Sequence, residues 1–342
     1  MKTRTLIIGL FLLFFLNACK KEQTQIITPP KQDDNVAWMS QLMLDFPNKE
    51  IKIGQLGLPG SHDAGMYVLK HCSFGANDCN TKTQVLNMTQ QLESGARIFD
   101  IRPTIIGQTY FVYHRNECGG LGCNGDSLKS ILRMTKYFVE KYPEVVILDF
   151  SHFCKVEATD PNFIHFLQEE LGNNIYKETT REELFYDWTL NQVLGEHPTK
   201  GKVILMFDEG TMDNTEQNRQ EGLFSTEIMR LTAGWTNKDN YPELKSSQLA
   251  QFEQFQGGHP YFFQFSWEVT LNTTQSITCA LDKRNSILAQ AEVSNPDFQL
   301  VIDSLIQNQA IRPGKIPNIF WMDHVDKWML PIASKISRIG IQ

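Results

Sequence analysis

The chain has 342 residues, 41% hydrophobic and 21% charged, an ordinary globular composition that excludes disorder except at the start and can fill one large core or two small ones. Its formal net charge of -7 argues against a nucleic-acid partner, which would need a basic face for the phosphate backbone.

Lys2 and Arg4 precede an apolar run from Leu6 to Leu16, which ends in Leu16-Asn17-Ala18-Cys19. The run is short and quickly followed by Lys20 and Lys21, so residues 1–18 read as a signal peptide rather than a membrane span. An uncleaved anchor is the rival reading. Leu-Asn-Ala-Cys resembles the bacterial lipobox, which implies lipidation of Cys19 and a mature protein tethered to a membrane outside the cytoplasm. Residues 19–48 read as the lipidated cysteine and a spacer that carries Pro29-Pro30, with a short helix over 38–46 leading into one domain over 49–342. In an oxidising compartment the close pairs Cys72/Cys79 and Cys118/Cys123 could each staple a loop. Zinc is weaker, because neither pair has the two-residue spacing of a zinc half-site.

The segment 51–56 alternates apolar and polar as a half-buried strand does, and Leu58-Pro59-Gly60 reads as its end, leaving His62 and Asp63 at the exit. A short helix is expected over 83–93. The run 95–103 then places Asp100 and Arg102 on one face of a strand. Residues 110–115 form another strand, ending in His114, and twelve positions are too few for a helical crossover from Arg102. A hairpin centred on Gln108 would set Arg102 and His114 opposite one another.

Residues 126–142 space their apolar side chains as an amphipathic helix that Pro143 stops, and 144–153 is an apolar run suited to a strand buried on both faces. Helix and strand then recur: helix at 162–171, strands at 202–210 and 261–270, helix at 297–309, and a strand within 318–328 that leaves Asp323 at its end. This alternation predicts a single-domain α/β fold, a closed barrel of strands with outer helices and its chemistry at the carboxyl ends of the strands.

Four segments carry a family resemblance: LPGSHDAGMY (58–67), GARIFDIRP (95–103), YFVYHR (110–115) and EVVILDF (144–150). In this order and spacing they resemble the X-domain of phosphatidylinositol-specific phospholipase C, well over residues 51–153 and more loosely beyond. The resemblance implies a distorted (β/α)8 TIM-type barrel that cleaves the glycerol–phosphate bond of a phospholipid by general acid–base catalysis. It makes His62 the general base for an inositol hydroxyl that attacks its own phosphate, giving a cyclic phosphodiester. His114 becomes the acid for the departing diacylglycerol oxygen, with Asp63 hydrogen-bonded to it. Arg102 holds the phosphate oxygens, and Asp323 orients His62. Charge on phosphoryl oxygens is well met by a fixed guanidinium, which brings two donors at once.

The calcium-dependent branch of that family has acidic metal ligands where this chain has Arg102 and Ser151, so the resemblance implies no metal and no other cofactor. Asp100 and Asp149 are the counter-indication, as carboxylates that could recruit a divalent ion. Asp208 and Glu209 are candidates for headgroup hydroxyls or for capping the next helix. Trp267, with Trp235, is a candidate lipid contact, although isolated tryptophans are more often core. The bacterial enzymes carry a basic inositol contact near the position of Asp208, which is a departure here. The expected partners are a phospholipid membrane surface and an inositol phospholipid, the expected state a monomer. Two alternatives stand beside this reading: a phosphodiesterase for glycerophosphodiesters or other phospholipids on the same barrel, and a surface lipoprotein that binds sugar or phosphate without turnover.

Overall fold

A computed structural model describes residues 36–178 and 184–342; the signal peptide, Cys19 and the spacer up to residue 35 lie outside the described residues. In chain order its strands are β1 (Leu58–Ser61), β2 (Ile98–Ile101), β3 (Pro103–Ile106), β4 (Thr109–Arg115), β5 (Gly122–Ser127), β6 (Val145–Phe150), β7 (Lys202–Phe207), β8 (Leu223–Ser225), β9 (Leu231–Thr232), β10 (Phe262–Ser266) and β11 (Ile319–Met322). Eight of them form one curled parallel sheet in the order β8-β7-β6-β2-β1-β11-β10-β9. The architecture is the distorted TIM-type barrel that the family resemblance implies, rather than the closed barrel read from the alternation. It is open on one side, since among the described residues no ladder joins β8 to β9.

Burial on both faces explains why the central strands are so apolar. Val145, Val146, Ile147, Leu148 and Phe150 of β6 are each at most 1% exposed, and each such side chain stabilises the fold by roughly 1.5–3 kcal/mol. The helix Leu128–Lys141 covers this sheet with Leu128, Ile131, Leu132, Thr135, Phe138 and Val139, which share one face at three- and four-residue spacing. Ser127 caps its start, and Pro143 follows its end. No helix among the described residues is long and apolar enough to cross a membrane.

Several expectations shift in register. The first strand is 58–61 rather than 51–56, so the Pro-Gly step read as a strand end is the strand itself. Pro59 is tolerated because the ladder to β2 begins one residue later, at Gly60, so the missing N–H has no strand opposite it. Gly60 is required there, since a Cβ would stand 2.6 Å from the Trp321 indole. The helix after it is shorter than expected, Met88–Glu93, and the helix read at 297–309 begins ten residues earlier, spanning Ile287–Gln307. Residues 36–48 belong to the packed body rather than to a spacer: Trp38, Met39 and Leu42 of the helix Trp38–Asp45 are buried.

The hairpin exists, with a different register. Its turn is the two-residue Gly107-Gln108, with Gly107 at φ +61°, and Ile106 faces Thr109 across it. Arg102 therefore lies opposite Tyr113, whose N–H donates to its carbonyl at 3.0 Å, and not opposite His114. The cysteines also pair otherwise than by proximity in sequence, as Cys72–Cys123, Cys79–Cys279 and Cys118–Cys154. The bridges connect the hairpin sheet and the loops above the barrel, segments that only the fold brings together.

Beneath the sheet Arg97 and Glu144, both fully buried, form an ion pair at 2.8 Å. Arg97 also donates to the carbonyls of Leu92 and Ala96, and Glu144 accepts from the backbone N–H groups of Met39 and Ser40. This pair fastens the first helix to the barrel. Removing one partner leaves a buried charge unmatched, so Glu144→Gln or Arg97→Met should each cost about 3–5 kcal/mol in urea unfolding. The double variant Arg97→Met/Glu144→Leu should cost clearly less than the sum of the two; additive losses would show that the charges do not act as a pair.

Candidate active site

The exits of β1, β2 and β11 converge on one side chain, His62. Its Nδ1 lies 2.8 Å from Asp323 Oδ1, and its Nε2 lies 3.0 Å from Arg102 Nη2. The backbone beneath is fixed by groups that the sequence reading did not weigh. Gln84 donates to the carbonyls of His62 and Met322 at 2.9 and 3.1 Å, Thr83 Oγ1 donates to the Asp63 carbonyl at 3.0 Å, and Asn295 donates to that of Asp323 at 2.9 Å. Asp63 takes φ +43°, a left-handed conformation that Asp tolerates better than most residues.

Arg102 is clasped between two carboxylates, with Nη2 2.8 Å from Asp100 Oδ2 and Nε 3.1 Å from Asp63 Oδ1. The contact to Asp63 is an ion pair without hydrogen-bond alignment; the Nε–H is directed at Asp100 Oδ1, 3.3 Å away. His114 comes from β4, where its strand partner Cys123 is locked to Cys72. Its Nδ1 lies 2.9 Å from the Thr81 carbonyl, so this nitrogen carries hydrogen. Asp63, expected as its hydrogen-bond partner, stands 3.6 Å away, too far, because the guanidinium holds that carboxylate. The two imidazoles face each other with ring centroids 6.4 Å apart.

These groups border a cleft of about 590 Å3 at the carboxyl ends of the strands. His62, Arg102, His114 and Asp323 line it, as does Asp208, while Asp63 lies just beneath, 2% exposed. Trp267 does not reach it. That indole is core, 1% exposed, with its Nε1 donating to the Ser294 carbonyl, because it packs on Phe298 on the far side of its strand. The tryptophans on the cleft are Trp235, 59% exposed, and the buried Trp321. Glu268 was missed: it also lines the cleft, and the available signal was a lone acid just past an apolar strand, the pattern that singled out Asp208.

Burial alone would lower the affinity of His62 for a proton, but Asp63 and Asp323 override it and raise its pKa to about 10, with Arg102 opposing. The N–H of Arg102 directed at Nε2 suits the neutral ring instead. Three carboxylates within 3.9 Å favour the cation, while the neutral ring, with Nδ1 on Asp323 and Nε2 facing Arg102, is the form able to accept a proton. Asp100 is opposed by burial yet held at about 2 by Arg102 and His62. Asp149 is the reverse case, pushed well above the usual carboxylate range by burial and by Asp100 and Asp208. Glu268 is pushed to about 8 by burial, with His62 opposing and Asp323 adding to the rise.

His62, Asp63 and Asp100 bring ligand atoms within 4.8 Å of one another, a spread that a divalent ion could use. Arg102 supplies positive charge in the midst of them.

A folded pKa above the unfolded value of about 6.5 adds stability that is fully present below pH 6.5 and lost as the pH rises toward 10. The stability difference between wild type and His62→Gln, from urea midpoints, should therefore be largest near pH 6 and shrink up to pH 10. A difference constant across that window would mean that the ring stays neutral on Arg102.

No family model matches the chain. Among curated proteins, a 1-phosphatidylinositol phosphodiesterase of Staphylococcus aureus is 28% identical over 174 residues, 49% of this chain and 49% of that protein. A PI-PLC X-box domain-containing protein of Dictyostelium discoideum is 28% identical over 137 residues, 36% of this chain and 18% of that protein. The human PI-PLC X domain-containing protein 2 is 26% identical over 175 residues, 44% and 54% of the two chains. The chain thus spans about half or less of the length of these relatives. Of solved structures, a phosphatidylinositol-specific phospholipase C of Staphylococcus aureus superposes with a TM-score of 0.62 at 19% identity, covering 88% of this chain and 97% of that one. That of Listeria monocytogenes gives 0.56 at 18% identity, covering 88% and 98%, and both are likenesses of fold. In sequence this chain is similar to PI-PLC X-domain proteins and to a bacterial 1-phosphatidylinositol phosphodiesterase, and in fold to the bacterial phosphatidylinositol-specific phospholipases C.

Proposed function

We propose that this chain is a metal-independent phosphodiesterase that cleaves the glycerol–phosphate bond of phosphatidylinositol-like lipids through a cyclic phosphodiester. The observation that carries this reading is the pair of imidazoles 6.4 Å apart with a guanidinium against one of them. A phosphodiester seated between the rings has an acid on one side of phosphorus and a base on the other. His62, in the neutral form whose Nε2 faces Arg102, takes the proton of a headgroup hydroxyl vicinal to the phosphate, that oxygen bonds to phosphorus, and the bond from phosphorus to the glycerol oxygen breaks. His114 gives the leaving oxygen its proton. Arg102 donates to the non-bridging oxygens, where charge grows. Asp323 acts through His62 and Asp63 through Arg102, so both are positioning residues.

The setting follows the same reading. We propose that the mature protein is held by a lipid on Cys19 to a bacterial membrane, outside the cytoplasm, where its substrate lies. Support comes from all six cysteines of the described residues being paired, as an oxidising compartment allows.

A second reading draws on His62, Asp63 and Asp100, whose spacing could hold a divalent ion for hydrolysis of a glycerophosphodiester or another phospholipid. One assay separates the two. Phosphatidylinositol in vesicles, with chelator present, should release a cyclic inositol phosphate, and His62→Ala or His114→Ala should each lower the rate about 10²- to 10⁴-fold. Arg102→Lys should fall nearly as far, because an ammonium cannot present the two fixed donors. Activity lost to chelator and restored by metal would favour the second reading, and undiminished activity in His62→Ala would end the first.

A further inference from the structure

Charge around the cleft is lopsided. Asp100, Asp149, Asp208, Glu268 and Asp323 line it, with Asp63 just beneath, against the guanidinium groups of Arg102 and Arg115 and the imidazoles of His62, His114 and His152. Both guanidiniums are committed. Arg102 is clasped by Asp63 and Asp100, and Arg115 donates to the carbonyls of His71, Gly120 and Gly122 and to Asn124 Oδ1.

Among the described residues, three of these carboxyl groups have no ion-pair partner within 4 Å. Glu268, 6% exposed, follows β10 and has an oxygen with no hydrogen-bond partner. Asp149, on β6, likewise has an unpartnered oxygen, and Asp208, after β7, accepts only the backbone N–H of His152 at 3.3 Å. Sheet order sets β7 and β6 on one side of the catalytic strands and β10 on the other, so these acids bracket the reacting centre. Among the described residues they do not close to within 4.8 Å as a metal-ligand group, which fits a larger cation better than a bare ion.

Glu268 and Asp149 are driven toward their neutral forms by burial, because nothing cationic pairs with them, and an ammonium group seated against their unpartnered oxygens would let them ionise. We infer that the part of the cleft bordered by Glu268, Asp149 and Asp208 is a headgroup subsite that selects a polyol bearing a protonated amine, with Glu268 as its deep acceptor. The inference rests on the phosphodiesterase reading and names its substrate class. The chemistry of the step is unchanged: a hydroxyl beside the phosphate still attacks phosphorus, and the amine makes and breaks no covalent bond.

The test compares phosphatidylinositol with a synthetic analogue in which one ring hydroxyl not engaged in the reaction is replaced by an ammonium group. With chelator present, kcat/KM should favour the amino lipid by about 10-fold or more, the size of one desolvated charge contact. Glu268→Gln should bring the ratio of the two substrates toward unity, and Asp208→Asn, at a half-buried position easier to substitute, should lower it. Equal turnover of both lipids, or preference for the neutral one, would overturn the inference and leave the phosphodiesterase reading intact. Turnover of neither would end that reading, and calorimetric binding of an aminocyclitol phosphate against inositol phosphate would still decide the subsite. Neutral ligand binding as tightly as the amino compound once calcium is added would put a metal ion among the acids and also overturn it.

Discussion

A guanidinium held half-buried between two carboxylates is the constraint on which this site turns. Arg102 lies against Asp100 and Asp63 at 2.8 and 3.1 Å, with the His62 imidazole as its third neighbour at 3.0 Å. Left alone, any of these charges would be costly so far from water; together they hold one another in place. The arrangement sets the direction of every titration nearby. Asp100 is driven down by its cationic neighbours, while His62 is driven up by its anionic ones. His114, 3.6 Å from Asp63, takes its orientation from the Thr81 carbonyl instead.

The barrel makes this possible because parallel strands deliver their ends to one rim. β1, β2 and β11 are neighbours in the sheet although β11 comes more than two hundred residues after β2, and the pairing sets Asp323 beside His62. His114 stands outside that logic. It belongs to a three-stranded antiparallel sheet inserted between β2 and β6, and disulfides from β5 and from the loop before it hold that insertion over the rim. The two imidazoles thus come from two sheets, and the gap between the rings depends on how the smaller sheet is seated.

Much of this could be read from the residues themselves. The apolar run of β6, the stop at Pro143 and the recurrence of helix and strand follow from side-chain periodicity and backbone restriction, which act locally. The polar exits His62, Arg102, His114, Asp208 and Asp323 stand out for the same reason, as charged or titratable groups where apolar strands run out. Glu268 fits that pattern and was passed over, and Trp267 was misjudged because one-dimensional patterns do not say which side of a strand faces the core.

The amino-acid sequence by itself determined the class of fold, the approximate strands and the main candidates for acid, base and anion-binding group. Those follow from short-range propensity and from side-chain chemistry that travels with each residue. Tertiary structure alone decided the hairpin register, the pairing of six cysteines, which carboxylate faces which cation, and the openness of the barrel. Each of those depends on contacts between residues far apart in the chain, where a shift of one residue moves a side chain to the opposite face and no local rule selects among the possible partners.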